Sequence, residues 1–155
     1  MTNLLFCVFV ICIHGLHIDR LDVPTKLEVG ANASLKCHFD SKGKEIIMVA
    51  WYFNHQQFYV YKPWYSNNPI NVYQLEDNPL QINKEKSNIR TVIILNITAK
   101  AEGYYTCEII TGPPRFEGTS KTAWMNVIVT NHGTTSFIVV LHSLFFNNLL
   151  LNLVK

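Results

Sequence analysis

No catalytic signature stands in this sequence. It has no Gly-x-Ser-x-Gly elbow, no Walker loop, no His-Glu-x-x-His and no Cys-x-x-Cys. The residue spacings that acyl transfer, phosphate handling, zinc proteolysis and thiol exchange need are therefore missing. The histidines, His38 and His55 among them, are scattered and suit solvated or hydrogen-bonded roles better than a metal site. Glu76, Asp77 and Glu108 form no evident acid–base pair. No enzyme activity, metal or cofactor is expected. Charge is sparse too: 15% of residues are charged, the formal net charge is +2, and no basic block exists. A nucleic-acid partner is therefore not expected.

Cysteine is scarce, and its placement is informative. Of four cysteines, Cys7 and Cys12 lie in an N-terminal run of ten apolar residues, Leu4 to Ile13. Ten is too few to span a bilayer, which takes about 20. With Gly15 following, residues 1–15 read as a signal peptide, although Lys and Arg are missing ahead of the run. A buried N-terminal strand is the alternative. Removal of this leader leaves Cys37 and Cys107, and an oxidising, secretory compartment. At the other end, residues 130–136 read as a short stalk. Residues 137–155 form an apolar tail interrupted by His142, Asn147, Asn148 and Asn152. The tail has three readings: a short membrane anchor, a glycolipid-anchor signal, or a degenerate extension of a secreted product. The expected location is the cell membrane, facing outward, or the medium.

The domain between them, residues 16–129, is patterned as strands. Strict alternation places Ala33, Leu35 and Cys37 on one face of a strand, and Ile47, Val49, Trp51 and Phe53 on one face of another at 46–53. Further strands are expected at 22–29, 58–61, 70–73, within 80–83, and at 91–96, 103–110 and 120–129. Pro24 suits an edge strand. Inward positions at 103–110 are Tyr105, Cys107 and Ile109. At 120–129 they are Ala123, Met125 and Val127, leaving Trp124 outward. Asn32-Ala33-Ser34 and Asn96-Ile97-Thr98 are glycosylation sequons on predicted solvent-facing positions. Two unrelated structural cysteines would also satisfy the count.

Cys37, then Trp51, then Tyr105-Thr106-Cys107 resembles the immunoglobulin variable-set pattern over residues 22–129. The resemblance implies an all-β fold, an immunoglobulin V-type sandwich of two antiparallel Greek-key sheets. It also implies a Cys37–Cys107 disulfide, a core built on Trp51, and a Tyr105 hydroxyl locking the corner before its strand. The long interval from Trp51 to Cys107 fits nine strands rather than seven. Two subfamilies come close. Ala33-Ser34-Leu35-Lys36-Cys37, Ile47-Met48-Val49-Ala50-Trp51 and Asn96-Ile97-Thr98 resemble the OX-two membrane glycoprotein. That ligand restrains myeloid cells through an inhibitory receptor, and poxviruses and herpesviruses carry copies of it. Tyr105-Thr106-Cys107-Glu108, Thr111-Gly112-Pro113 and Trp124 resemble the nectin and poliovirus-receptor group. There are departures. Ala101 replaces the usual Asp six residues before the second cysteine, and Tyr104 and Trp124 stand where OX-two glycoproteins link two further cysteines. Those relatives usually carry additional membrane-proximal domains, and none is expected here.

The functional expectation falls on the outward face of strands 46–53, 58–61, 103–110 and 120–129, the G-F-C-C′ face of that family. Tyr52, Tyr104, Glu108, Ile110 and Trp124 should lie there. Tyr59 and Tyr61, or their neighbours Phe58 and Val60, extend it depending on strand register. The loop at 111–118 adds Arg115 and Phe116 behind two stiffening prolines. Tyr and Trp dominate interface energetics. The expected partner is a protein receptor on leukocytes, itself of the immunoglobulin superfamily, with a homodimer or a nectin-like adhesion partner as the alternative.

Overall fold

The computed structural model describes residues 15–77 and 79–130. The rest of the expected signal peptide, the remainder of the stalk and the apolar tail lie outside the described residues. Among the described residues ten strands make two sheets: β1 (His17–Asp22), β2 (Lys26–Glu28), β3 (Ala33–Asp40), β4 (Ile46–Phe53), β5 (Gln56–Tyr61), β6 (Ile70–Val72), β7 (Gln81–Ile82), β8 (Thr91–Leu95), β9 (Gly103–Thr111) and β10 (Gly118–Ile128). One sheet runs β1-β3-β8-β7 and the other β2-β10-β9-β4-β5-β6. Among the described residues no helix is long and apolar enough to cross a membrane.

Of the strand expected at 22–29 only the short β2 forms; β1 lies ahead of it, sharing only Asp22, and was not expected. β1 pairs antiparallel with β3 in the first sheet, and β2 pairs parallel with β10 in the second. The second sheet is therefore mixed rather than purely antiparallel. Pro24 lies in the break, where its missing N–H interrupts no ladder.

Period-two alternation builds the core. β3 buries Ala33, Leu35 and Cys37, and β8 buries Val92 and Ile94. Facing them are Val49, Trp51, Tyr105, Cys107, Ile109 and Met125. Each fully buried Leu, Ile, Val or Met contributes roughly 1.5–3 kcal/mol. The Cys37–Cys107 disulfide joins the two sheets across a loop of 70 residues, with Cα atoms 6.4 Å apart. Cross-linking a loop of that length is worth about 4 kcal/mol in the chain-entropy model. Trp51 is the register partner of Cys107, and its indole N–H has no partner among the described residues. Its contribution is thus apolar packing. Tyr105 donates its hydroxyl to the Ala101 carbonyl at 2.7 Å, tying β9 to the 3₁₀ turn Ala99–Ala101 that precedes it. Burial pushes this phenol's pKa well up.

At the start of β4 a register shift between Ile46 and Met48 changes the phase. Ile46, not Ile47, packs against the core. The alternation read from the sequence holds from Val49 onward.

Candidate protein-binding face

The outward face of β10-β9-β4 is built from one end to the other by short-range devices. Asn54 and His55 both have positive φ, 45° and 70°, and close the β4–β5 hairpin as a two-residue turn. Positive φ at both central residues matches the right-handed strand twist. Asn54 then clamps β9: its N–H donates to the Tyr104 carbonyl at 2.9 Å, and its Oδ1 accepts the Tyr104 N–H at 3.0 Å. The clamp needs Gly103, where a Cβ would lie 2.6 Å from Asn54 Oδ1 and 2.7 Å from Phe53 Cε2. Tyr104 is thereby fixed on the surface, 52% exposed. Its register partner Trp124 is 44% exposed, and the rings meet edge to face, centroids 4.6 Å apart at 72°.

Next along the face lies a polar centre. Thr106 and Thr122 share a hydroxyl hydrogen bond of 2.8 Å across β9 and β10. Tyr52 donates to Glu108 Oε2 at 2.7 Å and accepts from Gln57 Nε2 at 3.2 Å. Partial burial, and then the carboxylate beside it, raise the Tyr52 pKa. Tyr52, His55, Thr106, Glu108 and Ser120 line a shallow depression of about 320 Å³. Ile110 is half-buried beyond it, opposite Met48 and Gly118.

Two expected members of this face are elsewhere. Tyr59 is 0% exposed, within the core cluster, and donates its hydroxyl to the Asn88 carbonyl at 3.0 Å. Tyr61 is half-buried and packs against the same core. The cause is a register shift between Trp51 and Tyr52 that leaves Phe58 as the extra residue on β5. Tyr59 then pairs with inward Trp51, Tyr61 with inward Val49, and Phe58 is also buried in the core cluster. Val60, paired with Ala50 on the other side, is buried as well. β5 therefore adds no exposed aromatic ring to the face.

Arg115 and Phe116 are exposed but lie at the far end of the sheet from Tyr104. Tyr104 and Ile110 are six positions apart on β9, about 20 Å of strand. Their loop is held at its base by the Thr111 N–H to Glu117 carbonyl bond (2.9 Å), the Glu117 N–H to Thr111 Oγ1 bond (3.0 Å), and an ion pair of Lys44 with Glu117. That ion pair depresses the Glu117 pKa. The sequon residues Asn32 and Asn96 are exposed neighbours, and the Asn96 N–H donates to Asn32 Oδ1 at 3.0 Å. Both sit at ends of strands of the other sheet, ahead of β3 and after β8.

A second aromatic group escaped the sequence reading. Trp64 (67% exposed) and Tyr65 are packed edge to face on the β5–β6 loop, with Tyr73 exposed just past β6. The signal was present in two adjacent aromatics between Pro63 and Pro69, where no core lies to receive them.

Residues 22–128 match the family model described as the immunoglobulin V-set domain. This is more than half of the chain, and the protein belongs to the immunoglobulin V-set family. No curated protein matches it in sequence. A chain from the structure of Dpr1 IG1 bound to DIP-eta IG1 is similar at TM-score 0.50 and 21% identity, over 76% of this chain and 99% of that one. Murine CEACAM1b is similar at 0.51 and 15% identity, over 71% and 54%. A marsupial T cell receptor is similar at 0.53 and 14% identity, over 76% and 39%. The chain thus spans about half or less of the last two. At these identities the likeness speaks for the fold.

Proposed function

We propose that this V-set domain is the recognition module of a cell-surface or secreted glycoprotein. In this reading it binds an immunoglobulin-superfamily receptor on leukocytes through β10-β9-β4 and modulates the immune response. The observation that carries the reading is the exposed Tyr104–Trp124 pair beside the ordered Tyr52–Glu108 centre. Large rings on a rigid strand surface lose little side-chain entropy on binding, and contiguous exposed apolar surface marks a partner. The acceptor asparagines Asn32 and Asn96 lie on turns of the opposite sheet, so glycans there would leave this face uncovered. The sequence resemblance to OX-two glycoproteins supports the immune-modulating role and a viral source, and the apolar tail would hold the domain to a membrane. The test is a binding screen of the glycosylated protein against leukocyte surface receptors, repeated with Trp124→Ala. A receptor captured by the parent and lost by the variant supports the reading. Failure to capture any receptor, or equal capture by both, contradicts it.

A second reading is an adhesion module that pairs with itself or a nectin-like partner. The resemblance of Tyr105-Thr106-Cys107-Glu108 to nectins favours it, as does the pairing of two immunoglobulin domains named for the Dpr1 structure. Sedimentation at micromolar concentration separates the two: a strict monomer argues against self-adhesion.

A further inference from the structure

We propose that the depression beside the aromatic pair receives a basic side chain of the partner, arginine by preference, with Glu108 as its counter-charge. The inference rests on β10-β9-β4 being the partner-facing surface. Of the outward strand positions on β4, β9 and β10, Glu108 alone carries a full charge. It forms no ion pair among the described residues. Its Oε2 accepts from Tyr52, which is itself held by Gln57, so the carboxylate is aimed before any partner arrives. Oε1 makes no hydrogen bond with a described residue.

The surroundings fit one long cationic side chain. The depression, about 320 Å³, is at the small end of ligand clefts, which run roughly 300–1,000 Å³. It is also open, which suits a side chain carried in on a protein surface. Glu108, Ser120 and Thr106 bring several oxygen acceptors to one spot, and a guanidinium offers five donors in a planar fork where an ammonium is a point charge. Tyr52 and His55 also line it, and a guanidinium is attracted to the face of a tyrosine ring. Covering Glu108 with a neutral or acidic surface would strand a desolvated carboxylate, so the same group rejects wrong partners. Tyr104 and Glu108 are four positions apart on β9, about 13 Å of strand. The partner should therefore present an apolar patch for Tyr104 and Trp124, with an arginine about that distance away.

The probe is Nα-acetyl-arginine amide, compared with the neutral isostere Nα-acetyl-citrulline amide. Saturation-transfer NMR is run on the full chain purified from a secreting host. Transfer to the arginine side-chain protons, with little to citrulline, is expected. It should be lost in Glu108→Gln and also in Ser120→Lys, where an internal ammonium occupies the site with Glu108 intact. Trp124→Ala should keep it. Equal transfer to both probes, or transfer unchanged in Glu108→Gln, overturns the proposal. The receptor reading is scored separately by the screen. A receptor that loses at least tenfold affinity with Trp124→Ala but none with Glu108→Gln leaves that reading standing and removes this one. Arginine-selective transfer with no receptor captured does the reverse.

Discussion

Tyr104 and Trp124 are register partners on β9 and β10, and both rings stay on the surface while meeting edge to face at 4.6 Å. A ring pair in the core would be explained by packing. This one is half in solvent, and its backbone is pinned by Asn54 through a glycine that admits no side chain. The arrangement holds apolar area outward, which is costly unless another surface covers it.

Because the pair is exposed, it contributes little to folding. A double-mutant cycle with Tyr104→Ala and Trp124→Ala, read by chemical unfolding, should give a coupling of about 0.5–1.5 kcal/mol. Both variants should secrete normally. Loss of secretion would assign the rings to the core and remove them from the interface.

Gly103→Ala should behave differently. Its Cβ would collide with Asn54 Oδ1 and Phe53 Cε2, so the β4–β5 turn or β9 must shift. A loss of about 1–3 kcal/mol is expected, as for overpacked sites. Thermal unfolding measures it, and a melting temperature equal to the parent's would show that the clamp is slack.

The sequons call for care in choosing variants. Asn32→Ala removes the acceptor that caps the Asn96 N–H as well as the glycan site, whereas Ser34→Ala removes only the glycan site. Both should lose one glycan by mass. Only Asn32→Ala should lose a further ~1 kcal/mol, the value of one hydrogen bond. Deglycosylated samples of both variants, unfolded side by side, give the comparison.

Alkaline pH tests the two buried phenols. Burial raises the pKa of both Tyr59 and Tyr105 well above the ordinary tyrosine value of 10.0. The unfolded chain loses those protons near pH 10 and the folded chain keeps them. Their contribution is therefore whole below pH 10 and declines as pH rises toward the folded values. Each tyrosine adds a slope of about 1.4 kcal/mol per pH unit. Tyr59→Phe should remove one such slope. Titration of the phenolate absorbance should show Tyr59 and Tyr105 ionising only on unfolding. Ionisation of these two near pH 10 in the folded protein would contradict their burial.

Most of the sandwich was legible in the residues because a half-buried strand writes its inward face at every second position. Leu35, Cys37, Val92, Ile94, Tyr105 and Cys107 follow that rule and are all buried. What escaped was phase. A bulge adds one residue without any residue type that demands it, so alternation alone could not say that Phe58 is the extra residue opposite Trp51 and Tyr52. That single slip carries Tyr59 from the expected surface into the core. β1 went unread because a bulge between Ile18 and Arg20 breaks its alternation, and the choice of sheet for β1 and β2 depends on distant partners. Trp64 and Tyr65 were visible as letters, and only the folded loop shows that they stay exposed among the described residues.

The central claim is that the β10-β9-β4 face is where another protein docks. Hydrogen exchange of the glycosylated protein, alone and with a receptor captured in the screen, tests it most directly. The account predicts slowed exchange in β9 and β10 around Tyr104, Glu108 and Trp124, with β3 and β8 unchanged. Protection confined to β3 and β8, or to the loop carrying Phe116, would contradict it.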